Sequence, residues 1–213
     1  MSLQSLGEAF VNIVNDELKR KIDGRIPFAL ELGAGSSPRD GYYHLDLVGL
    51  PGIDIVADLN HKLDGIPDGI VAELYSWHTF EHVSNFVQLM EEVHRICAAD
   101  ARITIVVPHY SNGFGYSDPT HVRFFGLYSM SYFIAKHKQP FRRKVPDFYS
   151  VAGFDLVQVR IEFYRMRGMF DKLVRKPFEW LVNSSIGRLE FYEKRLCRFF
   201  PARQLRFVIA PSK

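Results

Sequence analysis

The stretch Phe28-Ala-Leu-Glu-Leu-Gly-Ala-Gly-Ser-Ser37 decides the fold. Its apolar run, Pro27 to Leu32, reads as a buried strand with an acidic residue, Glu31, near the end. Gly33 and Gly35 follow at once, and glycine lets a backbone turn sharply and pass close beneath a ligand. A second strand, Tyr42-Tyr-His-Leu-Asp-Leu47, starts soon after and carries Asp46 at its end. Strand, glycine turn, strand and terminal carboxylate together make a nucleoside-binding arrangement, in which the carboxylate can take two ribose hydroxyls.

The dinucleotide version of this arrangement fits poorly. Gly-x-Gly-x-x-Gly needs a third glycine where Pro38 stands. Parallel neighbouring strands normally need a crossover of about a dozen residues or more, usually helical. Gly35 to Tyr42 is too short for more than one helical turn. A pyrophosphate favours a helix N-terminus with free N–H groups, and little helix is on offer here. A nucleoside without phosphates therefore fits better than NAD, and an NAD-linked oxidoreductase is the less favoured alternative.

Outward from this point, Ile53 to Ala57 reads as a third strand, with Asp58 and Leu59 just past its end. Asn60 to Gly69 is a loop, Ile70 to Trp77 a fourth strand, and Ser84 to Ala98 a helix. Ala101 to Val107 is a fifth strand, stopped by Pro108. Residues 108–126 form a long loop, and loops of this length in compact domains are usually functional or disordered. Leu127 to His137 reads as helical, and Phe154 to Tyr164 and Arg203 to Ala210 as strands. Residues 3–22 read as an amphipathic helix, with Leu6, Phe10, Ile13, Val14 and Leu18 at helical spacing. The expected architecture is α/β: a Rossmann-like open sheet, mostly parallel, with an antiparallel C-terminal edge strand and helices on both faces. One domain is expected, with an N-terminal helix (1–25), a core (26–165), a helical insertion (166–201) and a last strand (202–213).

Glu31-Leu-Gly-Ala-Gly35, His44-Leu-Asp-Leu47, Asp54-Ile-Val-Ala-Asp-Leu59, His78-Thr-Phe-Glu-His-Val83 and Ser117-Asp-Pro-Thr-His-Val-Arg-Phe-Phe125 follow one another in order. With these pieces the chain resembles the class I S-adenosylmethionine-dependent methyltransferases, and most of all a small bacterial group found with surface-polysaccharide synthesis. The resemblance implies S-adenosyl-L-methionine as cofactor. It implies backbone contact with the methionine moiety at Gly33, Ala34 and Gly35, and a loop-ordering role for Glu31. It also puts Asp46 at the ribose, Leu47 next to it among the cofactor-binding residues, Asp58 and Leu59 at the adenine, and His78 against the cofactor. Asp58 is equally suited to capping a turn.

His82, Asp118 and His121 are the candidates for proton abstraction, because histidine titrates near neutrality and a nearby carboxylate orients it. His109, Tyr110 and Arg123 are the candidates for acceptor binding. His78 and His82 stand four apart, which on a helix would resemble part of a zinc site. The metalloprotease motif, however, needs Glu directly after the first His, so no metal is expected.

Composition narrows the class. Hydrophobic content of 47% and aromatic content of 14% exclude a disordered chain. Two cysteines, Cys97 and Cys197, make neither a disulfide framework nor a metal pattern, which suits a reducing, cytoplasmic setting. The N-terminus lacks a basic head followed by an apolar run, so no secretory leader is expected. The net charge is +3, yet residues 165–206 hold eleven Lys and Arg against four Asp and Glu. The helical stretch 168–200, basic and aromatic, is expected to be a cover, a homodimer surface or a peripheral membrane contact. Nucleic acid is not expected, since no RNA-binding motif accompanies the charge. The acceptor is expected to be a small molecule, a saccharide or a glycolipid. A non-catalytic, methyltransferase-like binding protein is the main competing function.

Overall fold

The computed structural model describes residues 11–165 and 167–213. Eight strands form one sheet: β1 (Val11–Ile13), β2 (Phe28–Leu32), β3 (Tyr43–Asp46), β4 (Ile55–Ala57), β5 (Val71–Trp77), β6 (Cys97–Pro108), β7 (Phe154–Glu162) and β8 (Gln204–Pro211). Their order is β1-β4-β3-β2-β5-β6-β8-β7. The five central strands, β4 to β6 in that order, run parallel. Antiparallel pairing closes both ends: β1 on β4 at one side, β8 on β6 and β7 on β8 at the other. The last strand thus slots inside β7, which is itself the edge.

The central strands are apolar because both their faces are covered. Leu30, Leu32, Leu45, Ile55, Leu74, Ile103 and Ile105 have no accessible surface. The helix α2 (Phe86–Ile96) joins β5 to β6 and buries Phe86, Leu89, Met90, Val93 and Ile96 on one side. Its Glu92 is also buried, accepting the Leu63 N–H at 2.8 Å. Arg95 pairs with Glu92 at 2.7 Å and donates to the carbonyls of Ile66 and Leu63. This half-buried pair pins the loop between β4 and β5 to the helix.

The N-terminal helix is shorter than its apolar spacing predicts. The part of that prediction before Val11 lies outside the described residues. From Val11 to Ile13 the chain is a strand, and α1 runs only over Asp16–Asp23. Two causes are visible, one local and one long-range. Asn15 caps the helix, its side chain accepting from the N–H groups of Glu17 and Leu18. Ahead of it, Val11 to Ile13 pair with β4. Val11 also lies so close over Gly65 that a Cβ there would meet its Cγ1 at 2.7 Å.

A second departure lies after β6. The expected helix from Leu127 to His137 is two short 3-10 turns, Ser129–Phe133 and Lys136–Lys138. Leu127, Met130 and Phe133 recur every third residue and are all buried, which matches three residues per turn.

The segment before β8 is helical, as expected: a π turn (Asp171–Arg175), α3 (Lys176–Val182), α4 (Ile186–Phe191) and a second π turn (Tyr192–Leu196). Tyr192 anchors it, fully buried against Phe163, with its hydroxyl donating to the Phe200 carbonyl at 2.6 Å. Asn183 lies along the outer edge of β7. It accepts the Ile161 N–H and donates to the Ile161 carbonyl, both at 2.8 Å.

Candidate active site

The loops after β2, β3, β4 and β5 meet where the strand order reverses, between β2 and β5. Open α/β sheets bind ligands at such a switch point, outside the carboxyl ends of the strands. A cavity of about 330 Å³ lies there, lined by Gly33, Gly35, Asp46, Leu47, Asp58 and Leu59, and by His78, Thr79 and His82. That volume is within the roughly 300–1,000 Å³ of small-molecule sites.

Each wall has a local cause. Gly33 turns at φ +70° because Thr79 occupies the place of a side chain; a Cβ on Gly33 would meet Thr79 Oγ1 at 2.1 Å. Thr79 is held by donating to the Leu32 carbonyl at 3.1 Å. Gly35 turns at φ +59°, and a Cβ there would meet nothing within 4 Å, so bare backbone faces open space. No helix follows: residues 34–41 are turns and irregular chain. Glu31 accepts the Arg39 N–H from this loop at 2.8 Å. The Arg39 guanidinium in turn lies over the Tyr75 ring, 4.3 Å from its centroid.

Asp46 accepts the Gly35 N–H at 2.9 Å and the Val48 N–H at 3.1 Å, one on each oxygen. An ionised carboxylate offers about four acceptor sites, so two are left for a ribose diol. Asp58 makes a local turn: its Oδ1 accepts the Asn60 N–H at 2.8 Å and the Asn60 side chain at 3.0 Å. Leu47 is apolar yet 43% exposed at the cavity wall, a surface suited to a flat base. The residues fit a phosphate-free adenosine ligand. A pyrophosphate would find no helix N-terminus after the glycines.

Ala34 is buried and outside the cavity lining. His78 lines the cavity with a left-handed backbone, φ +54°, and its Nε2 lies 3.0 Å from Gln204 Oε1. Burial is the main cause that holds its imidazole below the usual range.

The long loop returns over the end of β5. Val122 N–H donates to the Glu81 carbonyl at 2.9 Å, and His121 packs edge-on against His82 with ring centroids 4.7 Å apart. Thr120 joins the remaining members: its Oγ1 lies 2.9 Å from His82 Nδ1 and donates to Asp118 Oδ1 at 2.6 Å. His121 Nε2 is 3.7 Å from Asp118 Oδ2. His82, Asp118 and His121 therefore stand together beside the cavity. Thr120's hydroxyl and N–H hold the Asp118 carboxyl low, while burial and the neighbouring His121 hold His82 low.

Two of the acceptor candidates are placed elsewhere. His109 is buried against Ser111 and Glu193, its Nδ1 2.7 Å from Ser111 Oγ. Tyr110 donates to the Glu193 carbonyl at 3.1 Å. Both brace the helical insertion and line no part of the cavity at the switch point. Arg123 lies over the Phe86 ring, 4.9 Å from its centroid, and lines a separate aromatic cavity with Phe124, Phe133 and Tyr149. Sequence reasoning missed Thr79, whose role depends on contact with Gly33, and the burial of both Glu81 oxygens without a partner. Glu81 is 1% exposed with no hydrogen-bond partner on either oxygen, and burial pushes its carboxyl up to about 7.

No protein-family model matches the chain, and no curated protein matches it. Among solved structures it is similar to a chain of the complex between the Haloferax volcanii Trm112 methyltransferase activator and a candidate methyltransferase. The TM-score is 0.50 at 14% identity, over 90% of this chain and 88% of that one. The chain has a methyltransferase fold. An S-adenosylmethionine-dependent methyltransferase from Archaeoglobus fulgidus is also similar, with a TM-score of 0.49 and 16% identity over 92% of this chain and 91% of that one. In this methyltransferase-fold chain the usual first crossover helix is replaced by the short loop that Glu31 and Asp46 hold.

Proposed function

We propose that the chain is an S-adenosylmethionine-dependent methyltransferase acting on a small-molecule, saccharide or glycolipid acceptor. The observation that carries this reading is the cavity at the switch point, where bare backbone at Gly33 and Gly35 faces the Asp46 carboxylate. The cofactor would supply a methyl group already activated on a sulfonium. The chain's own part is to hold that group and the acceptor in line, and orientation of this kind can lower a barrier by about 7–11 kcal/mol. Asp46 would fix the ribose, Leu47 and Leu59 would cover the base, and Glu31 would keep the glycine loop in shape. A hydroxyl acceptor also needs its proton removed, and the Asp118, His121 and His82 group stands beside the cavity for that purpose.

The helical insertion favours an acceptor met at an anionic surface. Phe170, Leu173, Trp180 and Phe199 are each more than two-thirds exposed, within a segment whose Lys and Arg outnumber its Asp and Glu. Exposed apolar side chains beside basic ones suit the boundary of a membrane with anionic headgroups. Titration calorimetry with S-adenosylmethionine, S-adenosylhomocysteine and NAD tests the cofactor. Heat with the first two and none with NAD is expected, whereas silence with both sulfur ligands at millimolar concentration defeats the proposal.

A further inference from the structure

Glu81 presents a problem of balance that the methyltransferase reading leaves unsolved. It is almost fully buried, neither oxygen has a hydrogen-bond partner, and no Lys or Arg among the described residues pairs with it. Three imidazoles surround it. His78 Nδ1 lies 3.8 Å from Glu81 Oε1, and His121 Nε2 lies 3.9 Å from the same atom. A ring nitrogen of His82, one of His121 and a Glu81 carboxylate oxygen are all within 4.8 Å of one another.

The partners of the outward nitrogens fix where the protons sit. His121 Nδ1 is 2.8 Å from the Gly115 carbonyl, which can only accept, so Nδ1 carries the hydrogen and Nε2 is bare. Gln204 donates its amide to Glu162 and so turns Oε1 toward His78 Nε2, which leaves His78 Nδ1 bare. Thr120 donates its one hydroxyl hydrogen to Asp118, and therefore accepts from His82 Nδ1. With neutral rings, His78 Nδ1 and His121 Nε2 turn lone pairs toward the Glu81 carboxylate, with no donor between them. One proton on Glu81 would satisfy a single contact and leave the rest bare. A cation satisfies them together.

We infer that Glu81, His82 and His121, with His78 alongside, form a site for a divalent transition-metal ion. Imidazole and carboxylate donors suit zinc and its first-row neighbours, and not calcium or magnesium. Zinc bonds of about 2.0–2.1 Å set ligand atoms roughly 3.3 Å apart, so each pair must close by at most about 1.5 Å. Histidine ligands almost always donate their other N–H to a carbonyl or carboxylate system, as His121 does to Gly115 and His82 does through Thr120 to Asp118. The ion would clasp the long loop, through His121, to the end of β5. The histidines would then be ligands, and Asp118 would be the group left to accept a proton. The inference stands apart from the cofactor reading, because metal uptake needs no S-adenosylmethionine.

The test uses the full chain, stripped with a chelator and titrated with zinc against a chromophoric competitor. One equivalent bound is expected. Glu81→Gln and His121→Ala should each weaken binding at least 100-fold, and Thr120→Val, which only orients His82, by about 10–100-fold. Far-UV melting checks that each variant folds; should His121→Ala fail to, the near-isosteric Glu81→Gln and Thr120→Val carry the comparison. Cobalt gives a second readout on the unaltered chain, with strong visible bands expected from a four-coordinate nitrogen and oxygen site. No uptake by the stripped chain, unchanged affinity in Glu81→Gln and Thr120→Val, or only the faint spectrum of hydrated cobalt would overturn the inference.

Discussion

Replacing Gly33 by alanine tests the packing that shapes the cavity, and its cost divides into two parts. The first is conformational: at φ +70° an L-residue is disfavoured by about 1–2 kcal/mol. The second is steric: the new methyl would lie 2.1 Å from Thr79 Oγ1, 2.3 Å from Cγ2 and 2.7 Å from Cβ. Overpacking of this kind costs about 1–3 kcal/mol. Gly33→Ala should thus lose about 2–5 kcal/mol, a large share of a typical total of 5–15 kcal/mol. Thr79→Ala would not relieve it, since the 2.7 Å contact is to Cβ itself.

Thr79→Gly removes every clashing atom. Alone it should cost about 1 kcal/mol for the hydroxyl bond to Leu32 and about 0.5–1 kcal/mol for added chain freedom. Combined, the two changes should be less harmful than their sum by about 1–3 kcal/mol, the steric part, while the left-handed penalty persists. Urea unfolding of the four proteins, followed by tryptophan fluorescence, measures all of these. A Gly33→Ala protein as stable as the parent, or strictly additive effects, would refute the proposed contact between the glycine turn and Thr79.

Asp46→Ala should weaken S-adenosylhomocysteine binding at least tenfold, a charged hydrogen bond being worth about 1.5–3 kcal/mol; unchanged affinity by calorimetry removes Asp46 from the site. Acid should destabilise the fold through Glu92. Burial works to raise its pKa, but the Arg95 guanidinium and the Leu63 N–H outweigh it and hold the carboxyl below its ordinary 4.5. Its contribution is therefore present above that value and lost as pH falls through the depressed one. Glu92→Gln should flatten this part of the melting curve against pH, and an equally steep acid limb would count against the pair. Anionic vesicles should shift Trp180 fluorescence to the blue and sediment the chain, with Trp180→Ser losing the shift and high salt weakening both. Failure to sediment at low salt would exclude the membrane contact.

The central strands and the glycine turn were legible in the sequence because their signals are local. An apolar run ending in Gly33 and Gly35 is a strand and a turn whatever packs on it, and the short gap to Asp46 already excludes a crossover helix. β1 was not legible. Phe10, Ile13 and Val14 fit a helical stripe, and only pairing of Val11 to Ile13 with β4, more than forty residues away, selects a strand there. His109 and Tyr110 sit in a loop that looks functional by length, yet Glu193 and Cys197, far along the chain, claim their side chains. Likewise His78, Glu81 and His82 carried only half a ligand pattern. His121 joins it because Val122 docks on the Glu81 backbone, a contact that no spacing rule encodes.

Asn183 imitates, with one side-chain amide, the donor and acceptor that a ninth strand would offer to Ile161. A sheet rim left with free backbone groups is a template for joining another chain. Trimming away the helical insertion to make a smaller protein would thus do more than discard a surface. It would unmask the border of β7, and the shortened protein would tend to zip to its own copies, so solubility would set the smallest workable form.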